Sequence, residues 1–372
     1  MGARRIALGL ALACAACGAL LGADDDRPPG ALTTTPDSGD ASSPDAAPDV
    51  SHDACDAFDL TTDPRHCGSC DRDCLGTPCQ AGVCAPQVLA TPGFFNHLVV
   101  AKDRLLGVRV NGNGYRRLIS IPKAAPSTPA DELDLEPLAV DFDNDISGGV
   151  LFDATGTYWG TQSSIRRLVA GGVAQTLTSA VSVAGIVISG TELSWAQAVD
   201  PNGAVRHCTL PDCSAPVGGN VLGAVDDVVV LAGQRHFFER TAVGSNLEIE
   251  GNGVPVATAQ MTPSRLVTDA ARIYWAASDA FRAYTPPNTV TDVVPTPSLQ
   301  DRFFSVTVDK TSIWLTRGSG VERCDRALPC SPKPYAATTD KVPAAADALA
   351  VDDDFVYWIA DPGGKVVRVR KP

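Results

Sequence analysis

This sequence predicts an all-β fold of the β-propeller type, on three observations. All five tryptophans, Trp159, Trp195, Trp275, Trp314 and Trp358, close short strand-like runs of similar make-up: TYW, LSW, IYW, SIW and VYW. Their separations of 36, 80, 39 and 44 residues reduce to a unit of about 40 when the 80 is taken as two, the period of a propeller blade. A four-stranded sheet of that length cannot bury both its faces alone, whereas a ring of them covers every face with a neighbour.

Each unit reads the same way. An apolar stretch runs into an Asp- or Gly-bearing turn and then the Trp run: VLFDATGTYW, IVISGTELSW, LVTDAARIYW, VTVDKTSIWL and LAVDDDFVYW. A further short strand follows, as IRRL from Ile165, VRHC from Val205, FRAY from Phe281, VERC from Val321 and VVRV from Val366. Two copies lack the Trp: LVVAKDRLLGVR with YRRL from Tyr115, and VLGAVDDVVVLA with FFER from Phe237. Over residues 86–372 this gives about 41 residues per unit for seven blades, with six as the rival count. The last strand, VVRVRKP, has no outer strand after it, while PQVLATPG near the start resembles the outer strand AQTLTS of an internal unit. Gln87–Thr91 is therefore expected to complete the last blade.

The elements ahead of the ring follow in order. Arg4 and Arg5 precede the apolar stretch Ile6–Ala16, the charged and apolar regions of an export signal, assigned to residues 1–16. Cysteine just after a short apolar stretch, here Cys14 and Cys17, resembles a bacterial lipoprotein precursor, in which the cysteine after the cut receives the lipid. Neither position has the usual Leu three residues earlier: Ala11 precedes Cys14, and Cys14 precedes Cys17. Parity selects Cys17, because cutting there leaves an even set of further cysteines, whereas cutting at Cys14 leaves Cys17 as an odd thiol. Residues 17–54 then read as a disordered tether, without aromatics and with eight Asp against one Arg over 18–54. Such a segment cannot bury enough apolar surface to fold, and self-repulsion extends it.

Residues 55–84 carry Cys55, Cys67, Cys70, Cys74, Cys79 and Cys84. Thirty residues are too few for a core, and exported thiols oxidise, so three disulfides are expected, with all fifteen connectivities open. Zinc at Cys67-x2-Cys70 is the alternative. The string from Asp59-Leu60 through Cys74 resembles a small Cys-rich module of secreted bacterial proteins, which implies no activity beyond a rigid collar. Two more pairs, Cys208 with Cys213 and Cys324 with Cys330, are spaced for local disulfides within the propeller, assigned to residues 85–372. The form LAVDDDFVYWIADPGGKVVRV at 349–369 resembles YWTD-type propellers and bacterial lipoprotein propellers. That likeness implies fold and leaves function open.

Chemistry is sparse. The net charge of −13 excludes a general nucleic-acid binder, which needs clustered cations. No apolar run reaches the ~18 residues of a membrane span. GxSxG, HExxH and a phosphate loop are absent, and His97, His207 and His236 share no repeat position. Arg116/Arg117 and Arg166/Arg167 read as strand pairs with one side chain on each face. Asp141, Asp143 and Asp145 resemble the opening of a calcium loop, but Ile146 stands where the sharp-turn Gly belongs and Phe152 where the bidentate Glu belongs. Asp352-Asp353-Asp354, with counterparts in Asp226-Asp227 and Asp309, read as a repeated turn. No catalytic residue and no cofactor is assigned. The expected protein is a monomeric, non-catalytic binding or scaffold module of the cell envelope. It is held at the membrane by lipid and grips an envelope protein or polysaccharide. The alternative is a propeller lyase or hydrolase acting at the central channel, with calcium as its candidate ion.

Overall fold

The computed structural model describes residues 59–372 apart from 71, 92, 111–115, 125–135, 138–145, 154, 170–172, 200, 243, 253, 261, 262, 264, 296–302, 319, 338–347, 361–363 and 372. The export signal, the tether, Cys14, Cys17, Cys55 and the candidate calcium ligands Asp141, Asp143 and Asp145 lie outside the described residues.

Seven four-stranded antiparallel sheets, each in simple meander order, form the ring. Their first strands are Phe95–Val100, Ile146–Asp153, Val183–Ser189, Val225–Leu231, Val267–Thr268, Phe303–Val308 and Leu349–Val351, for blades 1 to 7. Each first strand touches that of the next blade, and the strand of blade 7 touches that of blade 1, so these seven surround the axis. The fourth strand of blade 7 is Gln87–Ala90, paired with Lys365–Arg370 through Gln87↔Arg368 and Val88↔Val367. The ring is thus closed by the two ends of the propeller sequence, as the outer-strand likeness suggests, and it has seven blades. No helix occurs among the described residues.

The second strands carry most of the aromatic core. In blade 5, Ile273–Ala276 is buried at every position, and Ser312–Arg317 of blade 6 at all but the last. Stacking on both sides removes the inside/outside alternation of a half-exposed strand. All five Trp are fully buried. Trp159 packs among blade 1 residues such as Leu106 and Val108, and Trp275 among Val229, Phe238 and Leu247 of blade 4. The residue just before faces the other way: Tyr158 packs with blade 3 and Tyr274 with blade 6.

Register corrects the sequence reading at three places. Trp159 pairs with Val150 and Trp195 with Ile186, but in blade 6 the matching pair is Leu315 with Val306. Trp314 sits one residue earlier, and a one-residue step changes face, so it packs toward blade 7 against Trp358 and Tyr335. Blade 4 was also misaligned. Its FFER run belongs to the second strand, Gln234–Thr241, and the third strand is Gly244–Ile249. Asp226 and Asp227 accordingly lie on the innermost strand rather than in a turn; the turn of blade 4 is Ala232-Gly233.

The described cysteines ahead of the ring are oxidised. Cys67 bonds Cys79, Cys74 bonds Cys84, and Cys70 is also disulfide-bonded. The close approach of the Cys67, Cys74 and Cys84 sulfurs follows from these two bonds. The four cysteines share one buried cluster with Leu89, Phe95, Tyr357 and Trp358. Arg72 donates to the carbonyl of Arg370 at 3.2 Å and to the Tyr335 hydroxyl, and Arg370 donates to the carbonyl of Asp73 at 2.8 Å. The Cys-rich segment is therefore seated on blades 6 and 7, two residues before the closing strand begins.

Candidate functional site

The turn between the first and second strands repeats around the ring, and three of its copies staple neighbouring blades. In blade 7, Asp352 Oδ1 accepts the backbone N–H of Asp354 at 2.9 Å and of Phe355 at 2.7 Å. Its Oδ2 accepts the Tyr357 hydroxyl and the Lys123 ammonium of blade 1, both at 2.8 Å. Asp309 of blade 6 takes the same turn donors, the Trp314 indole N–H at 2.9 Å, and Lys371 of blade 7 at 2.8 Å. Asp269 of blade 5 takes the Tyr274 hydroxyl at 2.8 Å and Arg326 of blade 6. Burial pushes these carboxyls up, but the cation, the ring donor and the two turn N–H groups outweigh it. All three are held below the ordinary carboxylate value. The slip of Trp314 now has a role, since its indole replaces the tyrosine hydroxyl of the staple.

At joint 1–2 the acid of the staple is missing. Strand register places Ala101 of blade 1 at the acid's position, as Ala101 N–H meets the carbonyl of Arg104 across the turn. A cleft of about 780 Å3 lies at this joint, within the ~300–1,000 Å3 of small-ligand sites. Its floor includes Ala101, Leu106, Leu168 and Val169, and its rim carries Lys102, Arg104, Asp153 and Thr155. The Asp153 carboxylate is engaged by the N–H groups of Thr155 and Gly156. The partly exposed Phe152 also lines it. This is a concave, mostly apolar surface with polar groups at its edge.

The channel was the other place for chemistry. Asp227 of blade 4 is buried and accepts the Leu266 N–H at 2.7 Å, with the Arg265 guanidinium 3.9 Å away. Two glycines make room for this pair. A Cβ on Gly185 of blade 3 would stand 2.1 Å from the Asp227 carboxylate, and one on Gly149 of blade 2 would stand 2.8 Å from the Arg265 guanidinium. Gly149 also has φ of +78°, open to glycine at little cost. Arg265 thus reaches across from the start of blade 5 toward blade 2. Sequence reasoning missed this pair because Asp226-Asp227 looked like a turn; the Gly149 and Gly185 positions were the available signal.

The remaining residues singled out in the sequence fall as follows. Cys208 bonds Cys213 and Cys324 bonds Cys330; in both, the first cysteine is on the third strand, paired with Leu193 or Ile313. His236 is buried against Tyr284, its rings 5.5 Å apart. Burial pushes its imidazole down against a hydrogen bond to the carbonyl of Gln234. Arg167 lies over the Tyr158 ring and donates to the carbonyl of Thr155. Opposite the Trp position stand Arg166, Arg206 and Arg282 in blades 2, 3 and 5, and Val367 in blade 7. Glu248 and Glu322 stand there where Phe237 and Leu315 replace it. Burial, then a hydrogen bond and charge from Glu239, raise Glu248 to about 7.

No family model and no curated protein matches this chain. Solved structures do. The WD40 domain of Pan2 from Neurospora crassa is 11% identical, with a TM-score of 0.56, over 77% of this chain and 95% of that one. Virginiamycin B lyase from Staphylococcus aureus is also 11% identical, with a TM-score of 0.53, over 77% and 98%. The extracellular domain assigned to a hybrid two-component system of B. thetaiotaomicron is 12% identical, with a TM-score of 0.56, over 77% of this chain and 40% of that one. At such identities the likeness is one of fold: this chain carries a seven-bladed β-propeller of the kind that receptors, scaffolds and enzymes all use.

Proposed function

We propose that this chain is an exported, non-catalytic binding or scaffold protein of the bacterial cell envelope. It is anchored by lipid on Cys17 and lifted from the membrane by the acidic segment 17–54. The observation that carries the binding role is the cleft at the joint of blades 1 and 2, the place where Ala101 stands at the position of the stapling acid. Four paired disulfides among the described residues accord with an oxidising compartment, as does the likeness to an extracellular propeller. The apolar floor of the cleft favours a protein side chain over a polysaccharide, so the partner is an envelope protein.

The test is a crosslinking pull-down from envelope extract with the exported chain, with and without chelator, beside a Thr155→Trp variant. Thr155 is exposed on the rim, with its hydroxyl bonded to Asp153 and the buried Tyr158, so the substitution narrows the cleft and removes those two hydrogen bonds, and urea unfolding checks that the variant keeps its fold. A saturable partner, insensitive to chelator and lost in the variant, is the expected result. Retention that needs calcium, or that survives Thr155→Trp unchanged, would refute the reading. Metabolic labelling with palmitate, present in the native chain and absent in Cys17→Ser, tests the anchor.

A further inference from the structure

We propose that the Cys-rich segment is an oxidation-dependent clasp on the ring. The Cys67–Cys79 and Cys74–Cys84 bonds hold Arg72 at the joint of blades 6 and 7, and reducing them frees the last strand, so that the ring opens where its two ends meet.

Three stretches of chain come together at Arg72. Its Nη2 donates to the Tyr335 hydroxyl, on the outer strand of blade 6, and to the carbonyl of Arg370 at the end of the last strand, at 3.2 Å. The Tyr335 hydroxyl donates to that same carbonyl. Arg370 answers with a hydrogen bond to the carbonyl of Asp73 at 2.8 Å. The next residue, Lys371, carries the staple to Asp309 of blade 6. The end of the last strand is thus tied to the Cys-rich segment and to blade 6 within two residues. Closure depends on such ties. In the other six blades the third and fourth strands follow one another in the chain, so a parted pair is kept close and re-forms. In blade 7 they are Lys365–Arg370 and Gln87–Ala90, the two ends of the ring.

The disulfides place Arg72. It lies between Cys67 and Cys74, and its carbonyl accepts the Cys67 N–H at 2.9 Å. The Cys67–Cys79 bond keeps Gly68 against the turn at Gly82: a Cβ on Gly68 would stand 2.2 Å from the Gly82 carbonyl oxygen, to which Arg72 Nη1 donates at 3.4 Å. Cys84 sits two residues before the closing strand begins, and the four sulfurs share the buried cluster of Leu89 and Trp358. A segment this short has too little core to keep its shape without crosslinks. Arg72 itself is only 7% exposed, and its acceptors among the described residues are one hydroxyl and two carbonyls. A guanidinium buried with no carboxylate beside it is costly. Once the loop is freed, water reclaims the cation, and the clasp lets go rather than loosening by degrees.

Forming each bond joins two thiols, releases two protons and passes two electrons to a disulfide oxidant, which becomes a dithiol; a dithiol reductant reverses the exchange. The ring therefore locks in an oxidising compartment and stays open at blade 7 in a reducing one.

Hydrogen exchange read by mass spectrometry on the full chain tests this. Three samples are compared with the oxidised native chain: the native chain in dithiothreitol, the double variant Cys74→Ser with Cys84→Ser, and Arg72→Ala with all disulfides intact. The expected result is exchange about tenfold faster or more over 87–90 and 365–371 in the first two, a smaller change in the same strands in Arg72→Ala, and none in Val183–Ser189 of blade 3. Oxidised glutathione should reverse the effect of dithiothreitol. Opening the local bonds of the propeller, in Cys208→Ser with Cys213→Ser and in Cys324→Ser with Cys330→Ser, should leave 87–90 unchanged. Arg72→Ala keeps the test open even where loss of the disulfide prevents folding. Unchanged exchange over 87–90 and 365–371 in Arg72→Ala, or acceleration spread evenly over all seven blades on reduction, would overturn the proposal.

Discussion

Joints 5–6, 6–7 and 7–1 of the ring and joint 1–2 share one strand register, yet the first three are sealed and the last is open. At the sealed joints a turn aspartate gathers two N–H groups, an aromatic donor and a cation from the next blade. At the open joint the acid's position is Ala101, and a cleft lies there. Joint 2–3 is intermediate: Asp153 makes the same turn, but the cation's position is Leu210. These joints share a strand register, and the side chain at the acid's position separates the three sealed ones from the open one.

The largest expected effect comes from breaking a seam. Asp352→Ala strips four donors of their acceptor and leaves Lys123, whose side chain is 18% exposed, without its counter-charge. Removing one partner of a largely buried pair costs ~3 kcal/mol. Asp153→Ala loses turn hydrogen bonds alone, at ~1 kcal/mol. Urea unfolding of the two variants measures the difference, and equal losses would mean that the cation adds nothing. The three staple carboxyls sit below their unfolded values. Their stabilisation is complete above the ordinary Asp value of about 3.9 and is lost as pH falls through the lower folded values, so it is an acid-unfolding term.

A smaller effect is expected from building a seam. Ala101→Asp alone places a charge at a buried position and costs ~2 kcal/mol. Urea unfolding measures the loss, and a variant as stable as the native chain would show that this joint accommodates the acid as the sealed joints do.

The smallest concerns blade 4, where Phe237 replaces the Trp and Glu248 lies opposite it. Glu248 is raised to about 7 by burial and by Glu239. A raised carboxyl contributes stability that is complete below its unfolded value and is lost as pH rises through the folded one. Glu248→Gln should therefore be more stable than the native chain at pH 8, by ~1 kcal/mol once solvent screening is allowed for, and no more stable at pH 4. A gain independent of pH would point to packing instead.

Much of this architecture was legible in the sequence, and the misses have physical causes. The Trp period carried the ring and its seven blades, because large side chains between blades recur about once per unit, and the likeness of PQVLATPG to an internal outer strand carried the closure. Trp314 was misplaced by one residue because a run such as SIW looks like TYW until strand pairing decides which face each residue takes. The Asp226-Asp227 pair reads as a turn because blade 4 lacks the Trp that anchors the alignment. The joint 1–2 cleft was illegible for a different reason. It lies where Ala101 takes the place of the stapling acid, a substitution that stands out only when the blades are aligned by strand register.

The most direct test of the binding role places one photo-crosslinking residue at Thr155, on the rim of the open joint, and in a second protein at Thr311, the matching turn position of the sealed blade 6. A saturable crosslink to one envelope protein from position 155, and none from position 311, is the result expected here. Equal labelling from both positions, or labelling from 311 alone, would contradict the claim that the unstapled joint is the binding surface.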